Sequence, residues 1–198
     1  MRQIKVSLHI FDWLQDVLVW PVLLYRRLRY GYTFRLIRMT QPRYAKVDPA
    51  DYKRLRRYEW SSRKGGRTFY ALRYVDGKRR NDVLISMHQG IIEVPEGMII
   101  DHINHDGMDN RGANLRAATR SQNTCHRRKR SGATQSKYKG IHWKKRNRKW
   151  EAMITFQKKK IYLGYFRSEI DAAKAYDRAA RKYHGEFASL NFPESEDG

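Results

Sequence analysis

Four polar side chains between residues 98 and 124 have the types and the order that hydrolysis of a phosphodiester would need. An apolar run, Met98 to Ile100, leads directly into Asp101 and His102, and a loop rich in Gly, Asn and Asp follows. Asn114-Leu115 then opens a second apolar run, and Asn123 falls in the first turns of a predicted helix. An imidazole titrates near neutral pH, so His102 is the candidate general base. Asn114 is the candidate that orients it: an amide oxygen accepting one ring N–H leaves the other nitrogen's lone pair for water. Asp101 and the amide oxygen of Asn123 are hard donors suited to one Mg2+ or Mn2+ per site, which would stabilise charge on the phosphate and on the departing 3′ oxygen. Taken singly, an Asp-His pair at a strand end or an Asn-rich loop is more often structural. The four types in this order, on a strand, loop, strand, helix pattern, make a candidate site. His88 and His105 are assigned supporting or substrate-contact roles.

The composition points to the same kind of substrate. Among 198 residues there are 42 Lys+Arg against 20 Asp+Glu, a formal charge of +22, with 13 Tyr and 5 Trp. A polyanion is the expected partner, and aromatics among the basic residues favour nucleic acid over a membrane surface. Cys125 is the only cysteine, which excludes a disulfide framework or a Cys-rich zinc knuckle within one chain. The N-terminus does not open with a secretory pattern. Its most apolar run, Val17 to Tyr25, contains Pro21, precedes Arg26 and Arg27, and is shorter than the roughly 20 residues a membrane span takes.

Several elements must position these side chains. Leu8, Phe11, Leu14 and Leu18 have near-helical spacing, which predicts an amphipathic helix over 7–30, kinked at Pro21 and packed on its own protein or a partner rather than on lipid. Short β-like runs follow at Phe34 to Met39, Thr68 to Tyr74 and Asp82 to Met87, with turn signals at Lys64-Gly65-Gly66 and Asp76-Gly77. A basic segment, Arg127-Arg128-Lys129-Arg130, reads as a linker able to lie along phosphates. Beyond it come three predicted strands, Lys139 to Trp143, Lys149 to Phe156 and Lys160 to Phe166. A helix capped by Ser168 then runs to about Gly185. On the middle strand Trp150, Ala152, Ile154 and Phe156 alternate with Glu151, Met153 and Thr155, so one face can pack on Ala172, Tyr176 and Ala180 while the other stays open.

Asp101-His102, Asn114 and Asn123, with Asp109-Asn110-Arg111 between them, resemble the HNH nucleases, in particular homing endonucleases whose last motif residue is Asn. The resemblance implies that Asp101 and Asn123 hold one divalent metal, that His102 is the base and that Asn114 orients it. The upstream part, through Val47-Asp48, Trp60, Tyr70 and Met87-His88, is similar to the leader sheet of that family, with one departure: the upstream His is usually followed by Arg, whereas Gln89 and Gly90 follow His88. Residues 136–193 resemble the APETALA/ethylene-response-factor DNA-binding domain. The likeness is carried by Tyr138-Lys139-Gly140-Ile141, Lys149-Trp150, Leu163-Gly164, Ala175-Tyr176-Asp177-Arg178-Ala179-Ala180 and Leu190-Asn191-Phe192-Pro193. It implies a three-stranded sheet on one helix that docks in the major groove, and it assigns DNA contacts to Lys139, His142, Lys144, Met153, Thr155, Lys160 and Tyr162. Arg127, Arg128 and Arg130 would add phosphate contacts.

The expected class is α+β: a ββα-metal nuclease core with a small leader sheet, followed by a three-stranded antiparallel sheet packed on one helix. The expected divisions are a helical extension (1–33), the nuclease domain (34–126), a basic linker (127–135), the DNA-binding domain (136–193) and an acidic tail (194–198). The expected function is a metal-dependent, site-selective DNA endonuclease of mobile-element type. The competing reading is a transcription-type regulator whose nuclease core is only a scaffold. The partner is double-stranded DNA, with no small-molecule cofactor and no transmembrane segment, for a monomer that is cytoplasmic, DNA-associated and of bacterial or phage type.

Overall fold

The computed structural model describes residues 6–75, 83–129 and 135–193, with side chains from Leu18 onward. The Asp76-Gly77 turn, Asp82, Arg130, most of the linker, the acidic tail and the side chains of Leu8, Phe11 and Leu14 lie outside the described residues. The fold is mixed α+β, with several small sheets and four α-helices among the described residues. By its contacts the chain divides into two compact units: residues 1–96 with 100–117, and residues 97–99 with 118–198.

The first unit opens with α1 (Val6–Tyr30), which contains Pro21. In its described part Leu18, Trp20, Tyr25 and Leu28 are exposed. Among the described residues no helix is long and apolar enough to cross a membrane. Strands β1 (Arg35–Arg38) and β2 (Tyr44–Val47) pair antiparallel, and α2 (Pro49–Leu55) follows. Strands β3 (Ser61–Gly65), β4 (Thr68–Tyr74) and β5 (Leu84–Ser86) form an antiparallel sheet in sequence order. Their shared core joins Ile37, Met39, Ala45, Val47, Leu55, Trp60, Ala71, Met87 and Met108. Buried Trp60 satisfies its indole N–H on the Leu55 carbonyl at 2.8 Å, as a buried polar tip requires.

The chain then supplies β6 (Ile99–His102), β7 (Asp109–Asn110) and β8 (Leu115–Ala118), followed by α3 (Arg120–His126). β6 pairs with β8, whereas β7 adds to β2 in parallel, with Lys46 opposite Asp109 and Val47 opposite Asn110. α3 starts on a capping box, in which Thr119 Oγ1 accepts from Gln122 N at 3.2 Å and Gln122 Oε1 accepts from Thr119 N at 2.8 Å.

In the second unit β9 (Ile141–Lys144), β10 (Lys149–Phe156) and β11 (Lys159–Phe166) form an antiparallel sheet ordered β11-β10-β9, on which α4 (Glu169–His184) packs. Ser168 caps α4 through its Oγ, which accepts from Ile170 N and Asp171 N. The core joins Ile141, Ala152, Ile154, Ala172, Ala173, Tyr176 and Ala180, with Trp150, Ile161 and Leu163 packed against it. Alanines on α4 let the helix approach the sheet closely. The tightest point is Gly140 (φ +77°), where an added Cβ would stand 2.2 Å from the Tyr176 ring and 2.6 Å from Met153 O.

The three predicted strands and the helix of this segment are present within two residues of their expected bounds. The expected boundary at 126 differs from the division by contacts, which groups α3 with the second unit.

Candidate active site and DNA-facing sheet

Asp101 and His102 close β6 and are both 6% exposed. The ring of His102 lies among aromatics, its centroid 5.7 Å from Tyr70 and 5.2 Å from His88. His88 is presented by a 3-10 turn, Met87–Gly90, in which Gln89 Oε1 accepts from Ser86 N at 2.8 Å. The residue that departs from the family pattern after His88 is therefore a cap. Burial pushes His102 below its ordinary value, against the opposing effects of its Asn110 hydrogen bond and of Asp101, Asp106 and Asp109. At neutral pH the ring is uncharged, as a base must be before it takes a proton.

The partner of that ring corrects the sequence reading. His102 Nε2 stands 3.4 Å from Asn110 Oδ1, while Asn110 Nδ2 faces the Gly107 carbonyl at 3.5 Å. With the amide turned this way, Nε2 carries the proton and Nδ1 the lone pair. Asn114, expected in this role, locks the loop instead. Its Oδ1 accepts from Asn104 N at 3.0 Å, and its Nδ2 donates to Asn104 Oδ1 at 3.0 Å and to Asp109 O at 2.7 Å. Asn110 was quoted among the family motif residues, but nothing in its spacing distinguished it from a turn former.

Asp101 is held by Arg116, whose Nε and Nη2 donate to the same oxygen, Oδ2, at 3.0 and 2.9 Å. Neither residue is exposed, and the pair fixes the carboxylate at the strand end. Arg116 was missed at the sequence level, although its position in β8 beside β6 was predictable. A second pair braces the loop: Arg111 Nε and Nη2 bind the two oxygens of Asp109 at 2.7 Å each, and its guanidinium stacks 3.5 Å over the Tyr32 ring. Burial works against the Asp109 charge, yet Arg111 and Lys46 hold its carboxyl below the usual range.

Asn123 lies half-buried on α3. Among the described residues no group of three or more His, Cys, Asp and Glu is placed to hold a metal ion. The donors expected here, one carboxylate and one amide oxygen, are hard and few. That set suits Mg2+ or Mn2+, which retain waters and take up phosphate oxygens, rather than Zn2+.

On the sheet of the second unit, register puts the expected contact residues on one face. Glu151 stands opposite His142 and Tyr165, Met153 opposite Tyr162, Thr155 opposite Lys160, and Lys149 opposite Lys144. Tyr162 and Tyr165 are exposed, with their rings 5.3 Å apart. Burial, then the nearby positive charge of Lys129, moves His142 below its ordinary value, so its ring is uncharged at neutral pH. Glu151 is the unexpected member: it is buried, with Oε2 3.0 Å from Lys144 Nζ. Tyr165 was not singled out at the sequence level.

Lys139 departs from the expected face. Its Nζ donates to the carbonyls of Cys125 and Arg127 at 2.5 and 2.7 Å, and burial lowers its ammonium to about 8. Arg127 and Arg128 are exposed just past α3.

Comparison with known proteins agrees with both halves. The HNH endonuclease family model matches residues 83–125. The chain is 44% identical over 57 residues to APETALA2-like protein 2 of Oryza sativa subsp. indica, covering 29% of this chain and 13% of that protein. It is equally identical over 57 residues to the AP2-like ethylene-responsive transcription factor TOE2 of Arabidopsis thaliana, covering 29% and 12%. With the ethylene-responsive transcription factor WRI1 of Arabidopsis thaliana it shares 43% identity over 70 residues, covering 33% and 16%. The chain thus spans less than a fifth of the length of these relatives. Residues 83–125 are thus similar to the HNH endonuclease family, and a segment of 57–70 residues elsewhere in the chain is similar to AP2-like and ethylene-responsive transcription factors.

Proposed function

We propose that the chain is a site-selective DNA endonuclease in which His102 is the general base, Asp101 and Asn123 hold one divalent cation, and the sheet of the second unit reads the target. The observation that carries this reading is the state of His102, a buried neutral imidazole beside Asp101 with its Nε2 turned onto Asn110. In this reading Nδ1 takes a proton from the attacking water, and Asn110 and the ring of His88 keep the imidazole from swinging. A bound cation would offset charge on the scissile phosphate and its leaving oxygen. Arg116 keeps the Asp101 carboxylate in place for it. The neutral and basic groups of the outer sheet face supply phosphate and base-edge contacts, which divide general affinity from sequence preference.

A second reading, a DNA-binding regulator, is favoured by the likeness to transcription factors. Incubation with supercoiled plasmid in Mg2+, Mn2+ or EDTA separates the two. The nuclease reading expects relaxed or linear product in metal and none in EDTA. Binding without cutting under every condition supports the regulator, and full activity in EDTA overturns the metal assignment.

A further inference from the structure

The helix that carries Asn123 is fastened to the DNA-reading module by two crossed lysines. Lys139 Nζ donates to Cys125 O and Arg127 O, at the C-terminal end of α3. In return Lys129 Nζ donates to Ser136 O at 2.6 Å and Tyr138 O at 2.7 Å. The peptide of Lys139 is itself clamped. Its N–H donates to Asn191 Oδ1 at 2.7 Å, its carbonyl accepts from Asn191 Nδ2 at 3.3 Å, and Asn191 N donates to the buried Asp177 of α4 at 2.8 Å. Hydrogen bonds therefore run unbroken from the last carbonyls of α3 to the middle of α4. Buried His126 and the packing of α3 on the Gly185–Phe187 turn complete the attachment.

A seven-residue helix is too short to hold itself, and its terminal carbonyls need partners from outside. Here an ammonium supplies them with charge-assisted bonds.

We propose that Lys139 is a positioning residue that makes α3 part of the DNA-reading module, so that seating of the module on DNA sets the place of Asn123 and couples target recognition to cutting. This rests on the nuclease reading above. It gives Lys139 a task other than the DNA contact that the family resemblance implies.

Cys125, the only cysteine, is a built-in reporter of the clasp. The full chain is compared with its Lys139→Met, Lys139→Arg and Lys129→Met variants by three measurements. These are the rate of Cys125 alkylation by N-ethylmaleimide, affinity for duplex DNA, and Mg2+-dependent plasmid nicking at saturating protein. Lys139→Met should raise alkylation and lower nicking by about tenfold each, the scale of one or two charge-assisted hydrogen bonds, with DNA affinity within about threefold of wild type. Lys139→Arg should restore both, and Lys129→Met should act in the same direction. Unchanged alkylation in both Met variants overturns the clasp, even if Lys139→Met alone proves unstable. Loss of affinity equal to the loss of nicking returns Lys139 to a DNA contact and overturns the coupling. Failure of the nuclease reading shows itself separately, as a wild type that binds duplex DNA but cuts it under no metal condition, while the alkylation arm still decides the clasp.

Discussion

The imidazoles of His88 and His102 meet edge to face, 5.2 Å between centroids and 84° between planes. Burial, then the positive charge His102 would carry, pushes His88 down to about 4, and burial lowers His102 as well. The pair stays neutral at neutral pH, so the proposed base does not share its site with a second cation.

This pairing predicts acid sensitivity. In the unfolded chain His88 titrates near the ordinary imidazole value of 6.5, against about 4 in the fold. Between these values the unfolded state binds more protons, so stability falls as pH drops from 6.5 to 4 and levels off below. The loss is on the order of 2 kcal/mol after allowance for solvent screening. His88→Phe keeps a ring but cannot titrate, and should flatten the dependence in that window, leaving the part due to His102. Urea midpoints at pH 7, 5.5 and 4 measure this, and identical slopes in the two proteins would remove His88 from the account.

Asn110 and Asn114 should fail differently. Asn110→Ala releases the ring of His102 and should cut nicking by about tenfold or more even well below its melting temperature, which falls as well because the side chain is fully buried. Asn114→Ala leaves Asn104 N–H and Asp109 C=O without their partner and should cost about 1–3 kcal/mol of stability as well as activity. Parallel melts and nicking assays check both. A fully active Asn110→Ala variant would mean that something else sets the tautomer.

His102→Ala should lower nicking by at least about 10²-fold while duplex affinity stays within error. A gel-shift titration beside a plasmid assay reads the two quantities, and near-normal cutting would take the base role away from His102.

In a His102→Ala background that cannot cut, Lys160→Ala should reduce the slope of log affinity against log salt by about one, because one phosphate contact is lost. Tyr162→Ala should instead weaken preferred sites more than random duplex. Unchanged binding in both variants would move the reading surface elsewhere, to the Arg127 and Arg128 segment first.

Gly140→Ala should unfold the second unit, since the backbone is left-handed there and the new carbon would collide with Tyr176 and Met153 O. Far-UV circular dichroism and loss of duplex binding report it, whereas a normal melt would mean that the Tyr176 ring can move aside.

Much of this was legible in the sequence where a period or a cap carries the signal. The alternation of Trp150, Ala152 and Ile154 and the Ser168 cap define β10 and α4 within two residues. In the first unit β2 and α2 went unread: β2 is four residues long, and α2 lacks an apolar stripe and opens on Pro49. The candidate residues Asp101, His102, Asn114 and Asn123 rest on type and order, which say nothing of the groups they touch in the fold. That Asn110 rather than Asn114 meets His102 depends on the parallel β2–β7 pairing, and no local pattern reports a contact across 64 residues such as Gly112 N on Asp48 Oδ2. Lys139 reads as one more cation until its distances to Cys125 and Arg127 are known.

The stitching of the loop between His102 and Asn114 into the strands that precede it bears on transplantation. Lys46 N–H donates to Met108 O, Gly107 N–H to Thr68 Oγ1 and Gly112 N–H to Asp48 Oδ2, so the loop between His102 and Asn114 is moulded by chain that precedes the matched segment. Residues 83–125 are accordingly not a cassette that could be lifted into another scaffold with its geometry intact. A graft would have to carry β2 and β4 along, so the smallest stretch that keeps the geometry of this loop runs from about Arg35 to Ala118.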